Sequence, residues 1–384
     1  MINVTSKLNN GVNTIYLEGR LDSTNATVAE TQIVELDTED SLVIDVEKLE
    51  YISSVGLRIM LRLRKKHADL AIVNASTEVY DIFDMTGFTD MMKISRAYRT
   101  INVDGCEVIG QGANGKVYRI DPDTVVKVYL NPDSLADIEH ERDVAKKALI
   151  LGIPTAISYD VVKVGDHYAS MFEMLNAKSF SKLLATNPEN VDEYAVMYVD
   201  LMKLIHGTLV PRGQLPDQRE VAIGWTKFLK DYLPADIYEK LYAMVEAIPY
   251  DDHMLHGDYH TKNIMLQNGE VILIDMDTLA VGHPVLELAS MYNAYIGFHL
   301  NNPEGVKDFL GIDHMTAIRL WKKTLELYYG STDEAYLADK ENKAAVVGLV
   351  RLLRRTIRRG NEPELVKTFT DKLCDLVNKV DSLI

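Results

Sequence analysis

Two cysteines, Cys106 and Cys374, are all that the 384 residues contain. That scarcity excludes a disulfide framework or a cysteine-rich metal site, and the chain is expected to work in a reducing cytoplasm. Basic charge is short as well. With 41 Lys and Arg against 57 Asp and Glu, the net charge is −16, so neither nucleic acid nor an anionic membrane is an expected partner, and only a local basic patch has room. Long hydrophobic runs are missing too. No stretch approaches the roughly 20 apolar residues of a membrane span, and the opening Met1-Ile-Asn-Val-Thr-Ser-Lys7 lacks the charged-then-apolar order of a leader. A soluble protein is expected. What is present is length, because 384 residues exceed one ordinary domain of about 100–150 residues and suit two, each with its own core.

Strand and helix signals alternate over the first hundred residues. Partial alternation predicts a strand over 13–21, and Ser23 or Thr24 is placed to cap a helix reaching Leu36. Strands then follow over 41–46, 70–73 and 92–94, separated by helices over 54–67 and 77–85, which makes a small α/β domain over 1–98. The element order, and above all Asp45-Val-Glu-Lys-Leu-Glu-Tyr-Ile-Ser-Ser-Val-Gly-Leu-Arg58, resembles the STAS domain of bacterial anti-sigma factor antagonists. In that family a serine at the start of the second helix is phosphorylated, and alignment on Gly56-Leu57 brings Ser54 to that position as a candidate phosphosite. Ser53 stands where the antagonists usually carry Asp. A helix N-terminus tolerates phosphate, and it equally needs a cap, so Ser53 or Ser54 as a plain capping residue is the other reading. Arg58, Arg62, Arg64, Lys65 and Lys66 crowd the same helix; they read as a solvated face or as a surface for a regulatory protein partner.

Polar residues 99–105 form the expected linker to a second domain over 106–384. It opens with Gly110, Gly112 and Gly115 in a Gly-x-Gly-x-x-Gly-x-Val pattern, whose missing side chains let backbone amides approach phosphates. A dinucleotide fingerprint would need a helix directly after the glycines, whereas Lys116-Val-Tyr-Arg-Ile120 is strand-like; a Walker loop would need Ser or Thr after Lys116, where Val stands. The pattern therefore suits the nucleotide loop of a kinase. Lys127 lies between valines in the next apolar strand but one, and a lysine buried there needs an acid. On the helix predicted over 134–151, Glu141 falls on the apolar face while Glu139 lies about a third of a turn away, so Glu141 is the expected partner. Two further strands complete a five-stranded lobe over 106–175, with the backbone of Glu173 and Leu175 as the hinge that would read a nucleotide base. The remainder, 176–384, is mostly helical.

Residues 256–277, beginning His-Gly-Asp-Tyr-His-Thr-Lys-Asn, carry the chemistry. An apolar run over 271–274 delivers Asp275, and Gln267-Asn268-Gly269 supplies the turn before it. A carboxylate at Asp258, an amide at Asn263 and a carboxylate at Asp275 are what phosphoryl transfer from a magnesium-bound nucleotide requires. His253, His256 and His260 would make a zinc site if they shared a helix, which Gly257 and the strand pattern oppose. The stretch resembles the catalytic and metal-binding loops of the aminoglycoside phosphotransferase and choline kinase families, relatives of protein kinases. That resemblance implies a two-lobed α+β kinase-like fold, ATP and Mg as cofactors, Asp258 as catalytic base, and Asn263 and Asp275 as magnesium ligands. Gly282-His-Pro-Val-Leu-Glu-Leu-Ala289 resembles a scaffold segment of the same families, with His283 and Glu287 where Asp is usual.

The expected function is ATP- and Mg-dependent transfer to a hydroxyl of a small molecule or protein, coupled to a STAS domain whose Ser54 could be phosphorylated in cis or in another copy. The alternative is a signalling adaptor whose kinase-like domain only senses nucleotide. Antibiotic resistance is opposed by the STAS-like front and by Arg351, Arg354, Arg355, Arg358 and Arg359 on one helix, since aminoglycosides are cations. Those arginines are expected chiefly to pair with the domain's acidic residues, the other reading being recognition of an acidic substrate or docking of a phosphorylated segment.

Overall fold

Within the computed structural model, which describes residues 2–9, 11–37, 41–112, 114–360 and 363–384, contacts divide the chain into two units. One is Met1–Asp104 with Val161–Tyr168, and the other is Gly105–Asp160 with Ala169–Ile384. The first runs β1 (Asn3–Asn9), β2 (Val12–Leu21), α1 (Ala26–Leu36), β3 (Ser41–Ile52), α2 (Ser54–Lys66), β4 (Ala71–Ala75), α3 (Thr77–Met85), α4 (Phe88–Met91) and β5 (Lys93–Arg96). Its sheet keeps chain order, β1-β2-β3-β4-β5, antiparallel at the first pair and parallel after it. Parallel neighbours need crossovers, and the helices between them bury Ile33, Ile59, Met60 and Phe83 against Ile15, Ile44 and Ile72 of the sheet.

Strand β1 departs from the sequence expectation, which left these residues unassigned. Only Val4 of its seven residues is buried, so an edge strand held by ladder bonds carries no alternation to read. Helix α1 also starts later than Ser23 or Thr24 would place it, with Asn25 at the N-cap. The reason is a tight turn at Asp22, whose Oδ1 takes the Thr24 N–H at 3.0 Å and the Thr24 hydroxyl at 2.6 Å. In α2 it is Ser53 that caps, its Oγ accepting from the Gly56 N–H at 3.4 Å, which leaves Ser54 exposed in the first turn. Much of the charge run on α2 is locally engaged: Arg62 meets Glu30 at 2.6 Å and Lys66 meets Asp37 at 2.6 Å.

After Asp104 the chain runs β6 (Glu107–Gln111), β7 (Gly115–Arg119), β8 (Thr124–Tyr129), α5 (Leu135–Ile150), β9 (Asp160–Val164), which falls almost wholly within the first unit's segment Val161–Tyr168, and β10 (His167–Glu173). These strands form one sheet in the order β6-β7-β8-β10-β9. A helical region follows: β11 (Lys178–Ser179), α6 (Phe180–Thr186), α7 (Val191–His206), α8 (Gln218–Phe228) and α9 (Ala235–Glu246). Next come β12 (Met254–Leu255), β13 (Ile264–Gln267), β14 (Glu270–Leu273) and β15 (Ala280–Val281). The chain closes with α10 (Val285–Tyr292), α11 (Phe298–Asn301), α12 (Gly305–Leu310), α13 (His314–Tyr329), α14 (Glu334–Arg358) and α15 (Pro363–Lys379). One core runs through the region, with Tyr198, Tyr259, Tyr295, Trp321 and Phe369 among its fully buried side chains. Among the described residues no helix is long and apolar enough to cross a membrane.

Gly56 shows how tightly α2 sits on its sheet. A Cβ there would lie 2.7 Å from Ile52 Cγ1 and 2.9 Å from Leu21 Cγ. Gly56→Ala is therefore expected to cost about 1–3 kcal/mol through overpacking, read as faster hydrogen exchange in β3 and α2; unchanged exchange would show that the contact relaxes freely.

Candidate active site

Alternation along β8 puts Lys127 and Tyr129 on one face of the strand. Lys127 Nζ stands 3.1 Å from both carboxylate oxygens of Glu141, on the buried face of α5, and 3.0 Å from Asp275 Oδ1 beyond β14. Tyr129 donates its phenol to Glu141 Oε2 at 2.6 Å, so the acid that holds the lysine is itself held. Burial disfavours the charged ammonium, but the carboxylates of Asp275 and Glu141 more than offset it, and the Lys127 pKa is raised. Tyr129 went unremarked at the sequence level, although its position two residues after Lys127 was the available signal.

The hairpin β13–β14 turns at Asn268 (φ +53°) and Gly269 (φ +87°), the left-handed pair expected of an Asn-Gly turn. Its register sets Ile264 opposite Leu273, and the Ile274 N–H donates to the Asn263 carbonyl at 2.9 Å. Asn263 and Asp275 thus flank the same end of the hairpin. Asn263 Nδ2 donates to the Asp258 carbonyl at 3.1 Å, which leaves its Oδ1 as an oxygen donor. Asp275 adopts φ +64°, a conformation uncommon outside glycine. An amide oxygen and a carboxylate are hard oxygen ligands of the kind magnesium takes, and here they sit beside a lysine suited to phosphate. Nearby, burial and then repulsion from Asp275 and Glu141 push Asp277 up to about 7, a crowding of negative charge that a divalent cation would relieve. The donor set fits magnesium.

Asp258 is partly exposed, its side chain 34% accessible, and the surroundings favour its charge. Burial would raise its pKa, but His260 Nε2 at 3.3 Å from Oδ2, together with Arg351 and His256, pulls it down to about 2. His256 is a structural residue: Nδ1 accepts from the Asp258 N–H at 3.2 Å and Nε2 lies 3.3 Å from the Ile274 carbonyl. Those contacts, with His253 against Asp251, dispose of the zinc reading. Among the described residues, no group of three or more His, Cys, Asp or Glu is placed to hold a metal ion, so the magnesium reading rests on the oxygens of Asn263 and Asp275.

Beneath the loop, the Glu287 carboxylate collects the N–H groups of His256, Gly257 and Tyr259, the second at 3.0 Å and the third at 3.4 Å. Its burial is complete and would raise its pKa, yet His206, His256 and these N–H dipoles hold it below the ordinary value. Gly257 is required at its position, because at φ +83° a Cβ would fall 2.3 Å from the Thr278 carbonyl oxygen. The three glycines of the nucleotide loop differ among themselves. A Cβ at Gly115 would sit 2.5 Å from the Val128 carbonyl oxygen, so Gly115 serves strand packing, whereas nothing lies within 4 Å of one at Gly112 and little crowds Gly110. At the expected hinge, Glu173 ends β10, the Met174 N–H is taken by Asp123, and the Leu175 N–H has no intramolecular partner among the described residues.

The arginines of α14 overturn the pairing expected of them. Among the described residues, none of Arg351, Arg354, Arg355, Arg358 and Arg359 forms an ion pair with a carboxylate, while Arg351 Nη1 reaches the Gly257 carbonyl at 3.4 Å and Ser290 Oγ at 2.9 Å.

Comparison with known proteins agrees with this geometry. The family described as phosphotransferase enzymes matches residues 105–310, and the STAS domain family matches residues 3–101. A Bordetella bronchiseptica protein named as an anti-sigma factor antagonist, BtrV, is 30% identical over 87 residues, covering 21% of this chain and 75% of that protein. Among solved structures, the ternary complex of a thermostable mutant of aminoglycoside phosphotransferase APH(4)-Ia with ADP and hygromycin B aligns at 15% identity with a TM-score of 0.50. That alignment covers 72% of this chain and 94% of that one. ADP-bound aminoglycoside phosphotransferase APH(2'')-Ib aligns at 14% identity with a TM-score of 0.49, over 77% of this chain and 98% of that one. At such identities the first likeness shows the fold alone.

Glu287 gives the sharpest structural test. Glu287→Ala strands buried N–H groups and is expected to lower unfolding free energy by at least about 1–3 kcal/mol, with Glu287→Gln losing less because one acceptor oxygen survives. Equal urea midpoints for both variants and the parent would show that the carboxylate does not hold the loop.

Proposed function

The chain belongs to the phosphotransferase enzyme family and carries a STAS domain at its front, and on that premise we propose that it moves the terminal phosphoryl group of ATP to an acceptor hydroxyl under STAS control. The observation that carries the reading is the meeting of Lys127, Glu141 and Asp275, far apart in sequence, beside the loop that bears Asp258 and Asn263. In this reading Lys127 binds phosphate oxygens while Glu141 and Tyr129 keep its ammonium aimed. Gly110 and Gly112 leave space for the phosphates beside the loop, and the backbone of Glu173 and Leu175 borders the base. Asn263 and Asp275 would hold magnesium, which when bound would offset the charge on the phosphates.

Asp258 accepts a hydrogen bond from the acceptor hydroxyl and orients its oxygen toward the terminal phosphorus. As the new P–O bond forms, the bond to the bridging oxygen breaks, ADP departs and the hydroxyl proton passes to Asp258. A carboxylate with so low a pKa is a weak base, so its main contribution is alignment, with proton acceptance late. The Ser54 hydroxyl, left exposed by the Ser53 cap, is the regulatory phosphosite in this reading, at a helix N-terminus where phosphate is tolerated.

Asp258→Asn is expected to lower transfer by roughly 10²–10⁴-fold while magnesium-dependent ADP binding by calorimetry persists. Parental turnover in that variant would remove Asp258 from the mechanism. ADP binding without turnover in the parent, across hydroxyl acceptors, would favour the nucleotide-sensing adaptor. In the same incubations with labelled ATP, label on Ser54 that disappears in Asp258→Asn marks self-phosphorylation, and its absence assigns the site to another kinase or to none.

A further inference from the structure

Helix α14 carries a file of charge that the transfer chemistry leaves unexplained. Arg351, Arg355 and Arg359 recur every fourth residue and so share one face, extending about 12 Å along the helix axis. Like charges so spaced repel. No carboxylate pairs with them among the described residues, in a chain with 57 acidic residues. The file begins at the chemistry, since Arg351 is bonded to the carbonyl of Gly257, the residue before Asp258. From there it leads outward, with Arg351 half-buried and Arg355 and Arg359 exposed. Arg354 and Arg358 add a second file beside it. Trp225 and Phe228 of α8 form an aromatic wall against it, with the Arg351 guanidinium 5.5 Å from the indole and that of Arg354 5.7 Å from the phenyl ring.

The charge of Asp258 acts on Arg355, and Arg351 and Arg359 act on it from either side along the helix. Lys127, Asn263 and Asp275 already provide oxygen and nitrogen partners for a nucleotide's phosphates and its metal. The arginines are left over beside the loop that carries Asp258, where an acceptor must present its hydroxyl. Guanidinium groups free of carboxylates recognise carboxylate or phosphate through paired N–H donors, and a flanking aromatic wall keeps them weakly hydrated and oriented.

We propose that the acceptor is a small hydroxylated anion, a hydroxy acid or a phosphate ester of an alcohol, whose negative group lies along Arg351, Arg355 and Arg359 while its hydroxyl faces Asp258. The inference rests on the phosphotransferase reading above and narrows it. A cationic acceptor would meet an unscreened row of like charge at the same place.

The test uses the full chain saturated with ADP and magnesium, so that anions cannot report on the nucleotide site, and it reads binding without requiring turnover. Glycerate, 3-phosphoglycerate, glycerol and kanamycin are titrated calorimetrically into the parent, Arg355→Glu and Arg359→Glu. At least one anion is expected to bind while glycerol and kanamycin do not, the preferred anion separating a carboxylate site from a phosphate site. Either charge reversal should weaken that binding roughly tenfold or more, the loss of about one charge-assisted hydrogen bond. Added salt should weaken it as well, while ADP affinity and the unfolding midpoint stay unchanged. Failure of both anions to bind, kanamycin binding as tightly as either, or anion binding that survives both reversals would overturn the proposal. Failure of the phosphotransferase reading would look different, as absent turnover with ADP binding intact.

Discussion

One ammonium between two carboxylates ties the catalytic unit together. Lys127 comes from β8, Glu141 from α5 and Asp275 from the residue pair after β14, and the lysine side chain is only 18% exposed. Removing such a charge from water is costly, and the interaction stands only because both acids and the Tyr129 phenol satisfy the groups around it. The same contact holds Asp275 in a left-handed conformation that a non-glycine residue adopts at a cost of order 1–3 kcal/mol. Backbone strain and buried charge are thus concentrated where a nucleotide's phosphates and its metal would supply further compensation.

A second buried charge does the corresponding work beneath Asp258. Glu287 gathers three consecutive-region N–H groups from the loop, and His206 lies 3.8 Å from its Oε2 with Tyr328 hydrogen-bonded to the far ring nitrogen. Around this point Tyr198, Tyr259 and Tyr295 interlock through their hydroxyls, the Tyr198–Tyr295 contact being 2.8 Å and Tyr295 also taking the Thr261 N–H. A loop fixed from below in this way can aim Asp258 and Asn263 while His260 touches only one carboxylate oxygen of Asp258, Oδ2. Rigidity is supplied by the backbone, and the reacting side chain stays available.

What the sequence disclosed follows the kind of signal each feature leaves. Periodicity placed Glu141 on the inward face of α5, and the Asn268-Gly269 pair announced its turn, because both depend on neighbours within a few residues. Gly-x-Gly-x-x-Gly was legible as a pattern but not in its division of labour, since the clash at Gly115 is with Val128 across the sheet. Strand β1 left no alternation because its outer residues are exposed, and the start of α1 was misread because Asp22 occupies Thr24. His260 and Tyr129 were overlooked as supports of Asp258 and Glu141. Their roles appear only when loop and strand are folded.

The arginines of α14 show why a composition cannot be read as a surface. A net charge of −16 suggests that any cation will find a carboxylate nearby, and isolated surface pairs form and dissolve at small cost. An excess of acids makes pairing the default, so arginines that remain unpaired must be held where no carboxylate reaches them directly. On α14 they are held there by position: Arg351 is anchored to the Gly257 carbonyl and Ser290 Oγ, and its helical neighbours at four-residue spacing share its face. The repulsion among them is tolerated by a helix whose opposite face buries Val346, Val350 and Leu353. Packing on one side thus stabilises an arrangement of charge on the other that the helix would not adopt alone, and that arrangement begins at the loop that carries Asp258.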